Sequence, residues 1–470
     1  MSTAVDVFGP LFLSYRQNDG TEIVAELAWL LRAAGIPVWR DKDDLPPGDT
    51  ANRLGEAISD GLSGATLAIT EDIANSSIVK NIEAPRLIGL HREDSRFQLL
   101  IANDVAEGTG SLDYTAPDRL LGRIEDDLKG VDQSATSTEG LLALTRKALT
   151  HRMVQHRAAV EANGYFDLTI QTRNIGQVYD RTGGQLDIRV RRSNHEKLPD
   201  PAGLEDLRCT LGFLPDAITS TGARKVRVGG GAHLSVAFAL GIGLPSSRIG
   251  QLEVIDQRSD VWASGPEAAV PTPLTLDFDV AEHPTTPSSG TRPRVAVYVD
   301  LLPTQSDTAF ERYLDEYGAT LKAHGIIRSP KRGLIDHESA GAVASEVAGL
   351  IRQFSGTHSN ARVDLLLAVP FGLAVLIGRL SNTLRVRLFE WDDTDDPADK
   401  RIDARPRYVP CLEVRAGSTA GPITSVLLQS CTDRETSTCV VLPGPLARAV
   451  EAVSKLSSAR GLIRSRRGGA

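Results

Sequence analysis

Leu11, Phe12 and Leu13 form a short apolar run that stops at the polar stretch Ser14, Tyr15, Arg16, Gln17, Asn18, Asp19 and Gly20. Beyond it Ile23, Val24, Leu27, Leu30 and Leu31 recur at three- and four-residue spacing, which marks one buried helix face, and Gly35 supplies a C-terminal cap. Strand, polar turn and helix make the first half of a parallel unit. The cycle then repeats: residues 36–39 begin a second strand, Leu54, Ile58 and Leu62 a second helix face, residues 65–70 a third strand and residues 97–102 a fourth. Such alternation predicts a parallel sheet covered by helices on both faces. Ligands in such sheets bind beyond the carboxyl ends of the strands, so the loops at residues 14–20, 40–49 and 70–77 are where chemistry belongs. A receiver domain for phosphoryl transfer wants paired acids directly after the first strand. Ser14, Tyr15 and Arg16 stand there instead.

The pattern changes further along. Residues 118–129 and 138–160 read as two helices, with the small, polar residues 130–137 between them as a linker. Residues 279–294, rich in Pro, Thr and Ser, divide the remainder into two similar parts. In each part a strand runs into a turn and a short helix closed by glycine: residues 225–228, Gly229-Gly230-Gly231-Ala232-His233 and Gly241 in the first, residues 363–369, Pro370-Phe371-Gly372 and Gly378 in the second. Opening strands at 166–170 and 295–301, and later strands at 252–255 and 386–389, keep nearly the same offset, which predicts duplication of one nucleotide-fold half.

Composition narrows the field. A chain of 470 residues has room for two or three domains, and 24% charged with 41% apolar residues is ordinary for a globular protein. No run of 18 apolar residues and no basic-then-apolar leader is present, so neither a membrane nor export is expected, and the cytoplasm is. A net charge of −8 argues against duplex nucleic acid as a partner. Cys209, Cys411, Cys431 and Cys439 lack metal-ligand spacing and read as structural thiols; no metal is expected. Gly229-Gly230-Gly231 has neither the lysine nor the hydroxyl of a P-loop, which disfavours ATP hydrolysis.

Phe12-Leu13-Ser14-Tyr15-Arg16 resembles the first motif of TIR domains. Val38-Trp39-Arg40-Asp41 through Pro46-Pro47-Gly48-Asp49 resembles the strand and long loop of the second, and Ser77-Ile78-Val79-Lys80-Asn81-Ile82-Glu83 is similar to the third. The family's usual aromatic and cysteine are replaced here by Val79 and Lys80. The resemblance implies a flavodoxin-like domain that cleaves NAD at the nicotinamide–ribosyl bond, with Glu83 as the catalytic carboxylate. One anion suits that chemistry: as neutral nicotinamide departs, a carboxylate bonded to the ribose hydroxyls stabilises an oxocarbenium-like sugar. By position alone Glu83 is a solvated helix acid; the surrounding pattern gives it the catalytic role. Loop position makes Ser14, Tyr15, Arg16, Trp39, Asp41, Asp43 and Asp44 candidates for contact with NAD, a core or solvated place being the alternative for each.

Lys197-Leu198-Pro199 before a helix at 204–211, the glycine turn through His233 and Ser235 with its Ala-rich helix, and Val369-Pro370-Phe371 leading to Phe389-Glu390-Trp391 are together similar to the SAVED domain, a fusion of two CARF-like, Rossmann-like units found in bacterial antiphage systems. That resemblance implies a sensor for a cyclic oligonucleotide, with cyclic tri-adenylate the expected ring. Such a ligand offers a ring of phosphates and outward bases, so its pocket wants cations, backbone N–H groups and flat side chains. Lys197, His233, Ser235, Phe371 and Trp391 are the candidates, each with a surface or packing role as its alternative.

The expected division is a TIR domain over residues 1–135, a connecting helix over 136–160, CARF-like units over 161–285 and 286–415, and an extension over 416–470 with a helix near 446–456 and a basic tail. The resemblances imply a ligand-gated enzyme of CBASS type. The ring is activator, NAD is substrate, no other cofactor takes part, and protomers associate into an oligomer or filament in which a neighbour's 40–49 loop completes each active site. A non-catalytic TIR scaffold that recruits partner proteins is the alternative. A ligand-gated nuclease is disfavoured for want of metal-binding acids and a lysine after consecutive strands.

Overall fold

Strands β1 (Leu11–Ser14), β2 (Val38–Trp39), β3 (Gly64–Ile69), β4 (Gln98–Asn103) and β5 (Asp132–Ala135) lie parallel in the order β2-β1-β3-β4-β5. The chain reverses its direction of travel between β1 and β3, and a sheet of this order binds ligands at that switch point. The computed structural model describes residues 5–39, 55, 57–108, 110–173, 183–193, 197–264, 276–283, 292–331, 333–393 and 406–429. Helix α1 (Thr21–Ala33) buries Val24, Leu27, Leu30 and Leu31, the predicted face. Helix α2 (Ala84–Glu93) follows a five-residue π-turn over Val79–Glu83. Two expectations are corrected here. The segment read as a linker contains β5, an exposed edge strand whose polar Asp-Gln-Ser-Ala sequence carries no apolar alternation, and the helix expected over 118–129 is only α3 (Ala116–Leu121), stopped by left-handed Gly122.

Helix α4 (Thr138–Asn163) begins where the Ser137 hydroxyl accepts from the Gly140 N–H at 3.3 Å. It is more than a connector. Leu141, Leu144, Leu149 and Met153 pack in one continuous core with α1, β1 and the strands that follow. Arg152, fully buried, donates through Nε to the Gln185 carbonyl at 3.0 Å, through Nη1 to Val7 and Gly9 at 3.2 and 3.1 Å, and through Nη2 to Phe8 at 3.3 Å. Burial lowers its pKa to about 10, leaving it charged at neutral pH. His156 stacks on Phe8 and places Nε2 2.8 Å from the Val7 carbonyl; burial lowers its pKa to about 4, so the ring is neutral. The Asp187 N–H donates to the Gly35 carbonyl at 2.8 Å, and Glu26 pairs with Arg191 at 3.0 Å.

Two further sheets share one plan. The first holds β6 (Phe166–Gln171), β7 (Leu186–Arg189), β8 (Lys225–Gly231), β9 (Gln251–Ile255) and β10 (Val261–Ser264) in the order β10-β9-β8-β6-β7. The second holds β11 (Asp277–Glu282), β12 (Arg294–Asp300), β13 (Ala323–Arg328), β14 (Arg362–Ala368), β15 (Arg385–Asp392), β16 (Arg407–Arg415) and β17 (Ile423–Val426) in the order β11-β13-β12-β14-β15-β16-β17. In both, four parallel strands in equivalent order are followed by an antiparallel one, β10 on β9 and β16 on β15. This is the duplication that the spacing predicted. Strand β11 pairs with β13, and β17 with β16, so the second sheet draws on residues either side of the expected 286–415.

Helix α5 (Pro201–Thr210) starts where the Asp200 carboxylate accepts from the Gly203 N–H at 2.8 Å, with Pro201 at its first turn. Then come α6 (Leu214–Ser220), α7 (Leu234–Gly243), α8 (Thr308–Tyr317), α9 (Ala340–Thr357) and α10 (Phe371–Leu380). Helices α7 and α10, the equivalent helices of the two halves, cross at Gly241 and Gly378. A Cβ at either would overlap a backbone carbonyl, of Val375 or Phe238 respectively, which is why glycine stands at both. Among the described residues no helix is long and apolar enough to cross a membrane. The helix expected near 446–456, the basic tail, Cys431 and Cys439 lie outside the described residues.

Candidate functional site

Ser14 closes β1 at the carboxyl end of the first sheet, and its hydroxyl donates to Glu83 Oε2 at 2.6 Å. Glu83 is the last residue of the π-turn, in which the Ala84 N–H reaches five residues back to the Val79 carbonyl. Pro85, in the first turn of α2, has no N–H to continue the tighter α-helical ladder. Short π-turns of this kind recur at functional sites because they re-aim one side chain without breaking the helix. Glu83 is 6% exposed, not a solvated surface acid. Val79 is buried in the first-sheet core, filling the place where the family pattern has an aromatic.

The other predicted substrate contacts divide. Arg16 places its Nη1 3.3 Å from Asp19 and 3.4 Å from Asp72. Tyr15 and Trp39 are core residues: Tyr15 packs with α1, and Trp39 stacks on Phe12 with ring centroids 4.9 Å apart. Asp41, Asp43 and Asp44 lie outside the described residues. A cavity of about 510 Å³ opens beside β5, between Arg119, Asp118 and Gln133, and contains none of the predicted residues.

The sensor half has a cavity of about 760 Å³ where the strands of its two sheets end. It brings together Lys197, His233, Phe371 and Trp391, four of the five predicted contacts, from segments far apart in sequence. His233 caps α7 and Phe371 opens α10, so two equivalent helix N-termini face the same space, a setting that favours anions. His233 is held by Thr172, whose hydroxyl accepts the His233 N–H and meets Nδ1, both at 2.8 Å. Lys197 sits 5.4 Å above the Trp391 ring centre and 3.3 Å from Asp393; Trp391 is 39% exposed, open to stacking.

Ser235 corrects the expectation: it does not line the cavity. It is buried one step behind, its N–H donating to Glu390 Oε1 at 2.6 Å and its hydroxyl 3.2 Å from Cys411 Sγ. Glu390, Asp300 and Arg173, which the sequence reading did not single out, do line it. The available signal was an acid between two aromatic residues, Phe389 and Trp391, near the end of a strand. Burial pushes the Glu390 carboxyl up to about 7, partly offset by the Ser235 hydrogen bonds and the positive charge of Arg173.

A TIR-domain family model matches residues 11–81, ending two positions before Glu83, and a model described as the SMODS-associated and fused to various effectors sensor domain, SAVED, matches residues 212–414. The SAVED/CARF-domain receptor Cap4 of Acinetobacter baumannii, solved with the cyclic trinucleotide 3'3'3'-cAAA, aligns at a TM-score of 0.42 with 10% identity, over 85% of this chain and 99% of that one. With 2'3'3'-cAAA the same receptor gives 0.42 and 12% over the same shares, and the Cap4 receptor of Moraxella osloensis gives 0.38 and 13% over 84% and 98%. No curated protein gives a significant match.

Proposed function

From a chain that carries a TIR domain ahead of a SAVED domain, we propose an antiphage effector that binds a cyclic oligonucleotide in the 760 Å³ cavity, self-associates, and hydrolyses NAD at the nicotinamide–ribose bond. The observation that carries the enzymatic reading is Glu83, a single buried carboxylate held by Ser14 at the carboxyl end of the sheet. At that position it can accept hydrogen bonds from ribose hydroxyls and stabilise positive charge at the anomeric carbon as nicotinamide leaves. Ser14 donates to this carboxylate at 2.6 Å, which gives it a positioning role toward Glu83. Ser14→Ala therefore lowers turnover by about tenfold to a hundredfold with ring affinity unchanged, checked by nicotinamide release beside a binding titration.

On the sensor side, Lys197 and two helix N-termini offer positive potential to phosphates, and Trp391 offers a face for a base. Lys197→Glu weakens ring affinity by at least about tenfold, measured by calorimetry; unchanged affinity removes Lys197 from the pocket. The whole reading is tested by incubating the protein with NAD and cyclic di-, tri- and tetranucleotides and following free nicotinamide. Release with one ring alone supports gating. Ring binding without release favours the non-catalytic scaffold.

A further inference from the structure

The cavity has an acidic component that anion binding does not use. Glu390 projects from the end of β15, is 6% exposed, and lines the cavity with its Oε1 already committed to the Ser235 N–H at 2.6 Å. A carboxyl beside the site for a polyanion works against affinity unless it meets donors on the ligand. Phosphates have none at neutral pH; bases do. Trp391, the next residue, lines the same cavity and is 39% exposed.

We propose that Glu390 is the specificity-determining residue of the ligand cavity and that its carboxyl reads a base edge carrying an amine next to a ring-nitrogen acceptor. The neutral carboxyl offers an O–H donor at Oε2 and, at Oε1, a second lone pair beside the one that takes the Ser235 N–H, and together these match the ring nitrogen and amine of adenine or cytosine. The carboxylate offers acceptors only; it repels that ring nitrogen and instead suits the two adjacent N–H donors of guanine. This rests on the cyclic-oligonucleotide reading above and names the chemistry by which the ring is chosen.

The surroundings raise the proton affinity of Glu390. Its pKa stands at about 7, raised by burial. Arg173 is the cation that favours its ionised form. Tyr408 and Cys411, which also face it, are pushed well above their usual pKa values by burial and stay neutral. On the cavity wall, Lys197 is cationic and Asp300 is a buried acid whose pKa burial also raises. His233, fixed to Thr172, is the remaining group of a type that titrates near neutrality.

The test is calorimetric binding of cyclic trinucleotides of adenosine, cytidine, guanosine and uridine to the full chain between pH 6 and 8.5, for the native protein and Glu390→Gln. The expected result is that the adenosine or cytidine ring binds best at pH 6 and loses about tenfold in affinity per pH unit well above 7, as binding takes up one proton. The guanosine ring gains with pH instead. Glu390→Gln keeps a donor and an acceptor at every pH, so it binds the amine-bearing ring with no slope and loses the guanosine ring. Native affinity that is flat with pH overturns the proposal, without need of the variant. So does a slope that persists in Glu390→Gln, which assigns the proton to another group of the cavity wall. In both cases tight ring binding leaves the sensor reading standing. Absence of binding by every ring overturns both.

Discussion

Glu83→Gln lowers nicotinamide release by at least about a hundredfold while ring affinity and ring-induced assembly stay at native values. The amide keeps the shape of the side chain and can still accept from the Ser14 hydroxyl, the contact that holds Oε2 at 2.6 Å, so folding and position are preserved. What it loses is the negative charge. A departing neutral leaving group transfers a full positive charge to the sugar, and a neutral amide cannot offset it. The measurement is a single-turnover assay with saturating NAD beside a calorimetric titration of the ring. Substantial turnover in the variant returns Glu83 to a structural part and makes the scaffold reading the better one.

Arg152→Met destabilises the protein by about 3–5 kcal/mol, read as a lowered urea midpoint with the slope unchanged. The thioether fills much of the volume, so the loss comes from polarity: four carbonyl oxygens, on Val7, Phe8, Gly9 and Gln185, lose a charged donor in a place closed to water. Arg152→Lys keeps the charge without the planar fork and falls between the two. A midpoint within about 1 kcal/mol of native would mean that the apolar contacts of α4 alone hold the junction.

The apolar spacing of the first hundred residues was enough to place β1 to β4 and the buried face of α1, because parallel strands are short apolar runs and the intervening helix repeats every three to four residues. Glu83 was legible for a different reason, as the acid of a motif, and its burial against Ser14 could not be read from spacing. Strand β5 was missed because its edge position demands no apolar side chains; Asp132, Gln133, Ser134 and Ala135 look like a tether until β4 pairs with them. In the sensor, the order of strand, glycine turn and short helix revealed the duplication. Lys197, His233, Phe371 and Trp391 fell together because each follows or precedes such an element. Ser235 was placed one turn too far forward, and Glu390 was passed over because an acid between two aromatic residues of a strand signals burial, and what it would meet there depends on contacts between the two halves. Arg152 and His156 look like surface residues of a polar helix, since nothing local shows that carbonyls from both sides converge on them.

The backbone hydrogen bond from Asp187 to Gly35, with Arg152 spanning the same seam, means that the effector and its sensor are not two beads on a string. A swivelling tether would let the sensor change shape with no consequence for the enzyme. Here β7 and α1 share one core with β1, the strand that ends in Ser14. The same seam restricts how such a protein can be recombined: a foreign effector grafted at the polar stretch before α4 would leave an apolar face of the sensor bare, so an exchange has to carry across both the long helix and the surface it was shaped to meet.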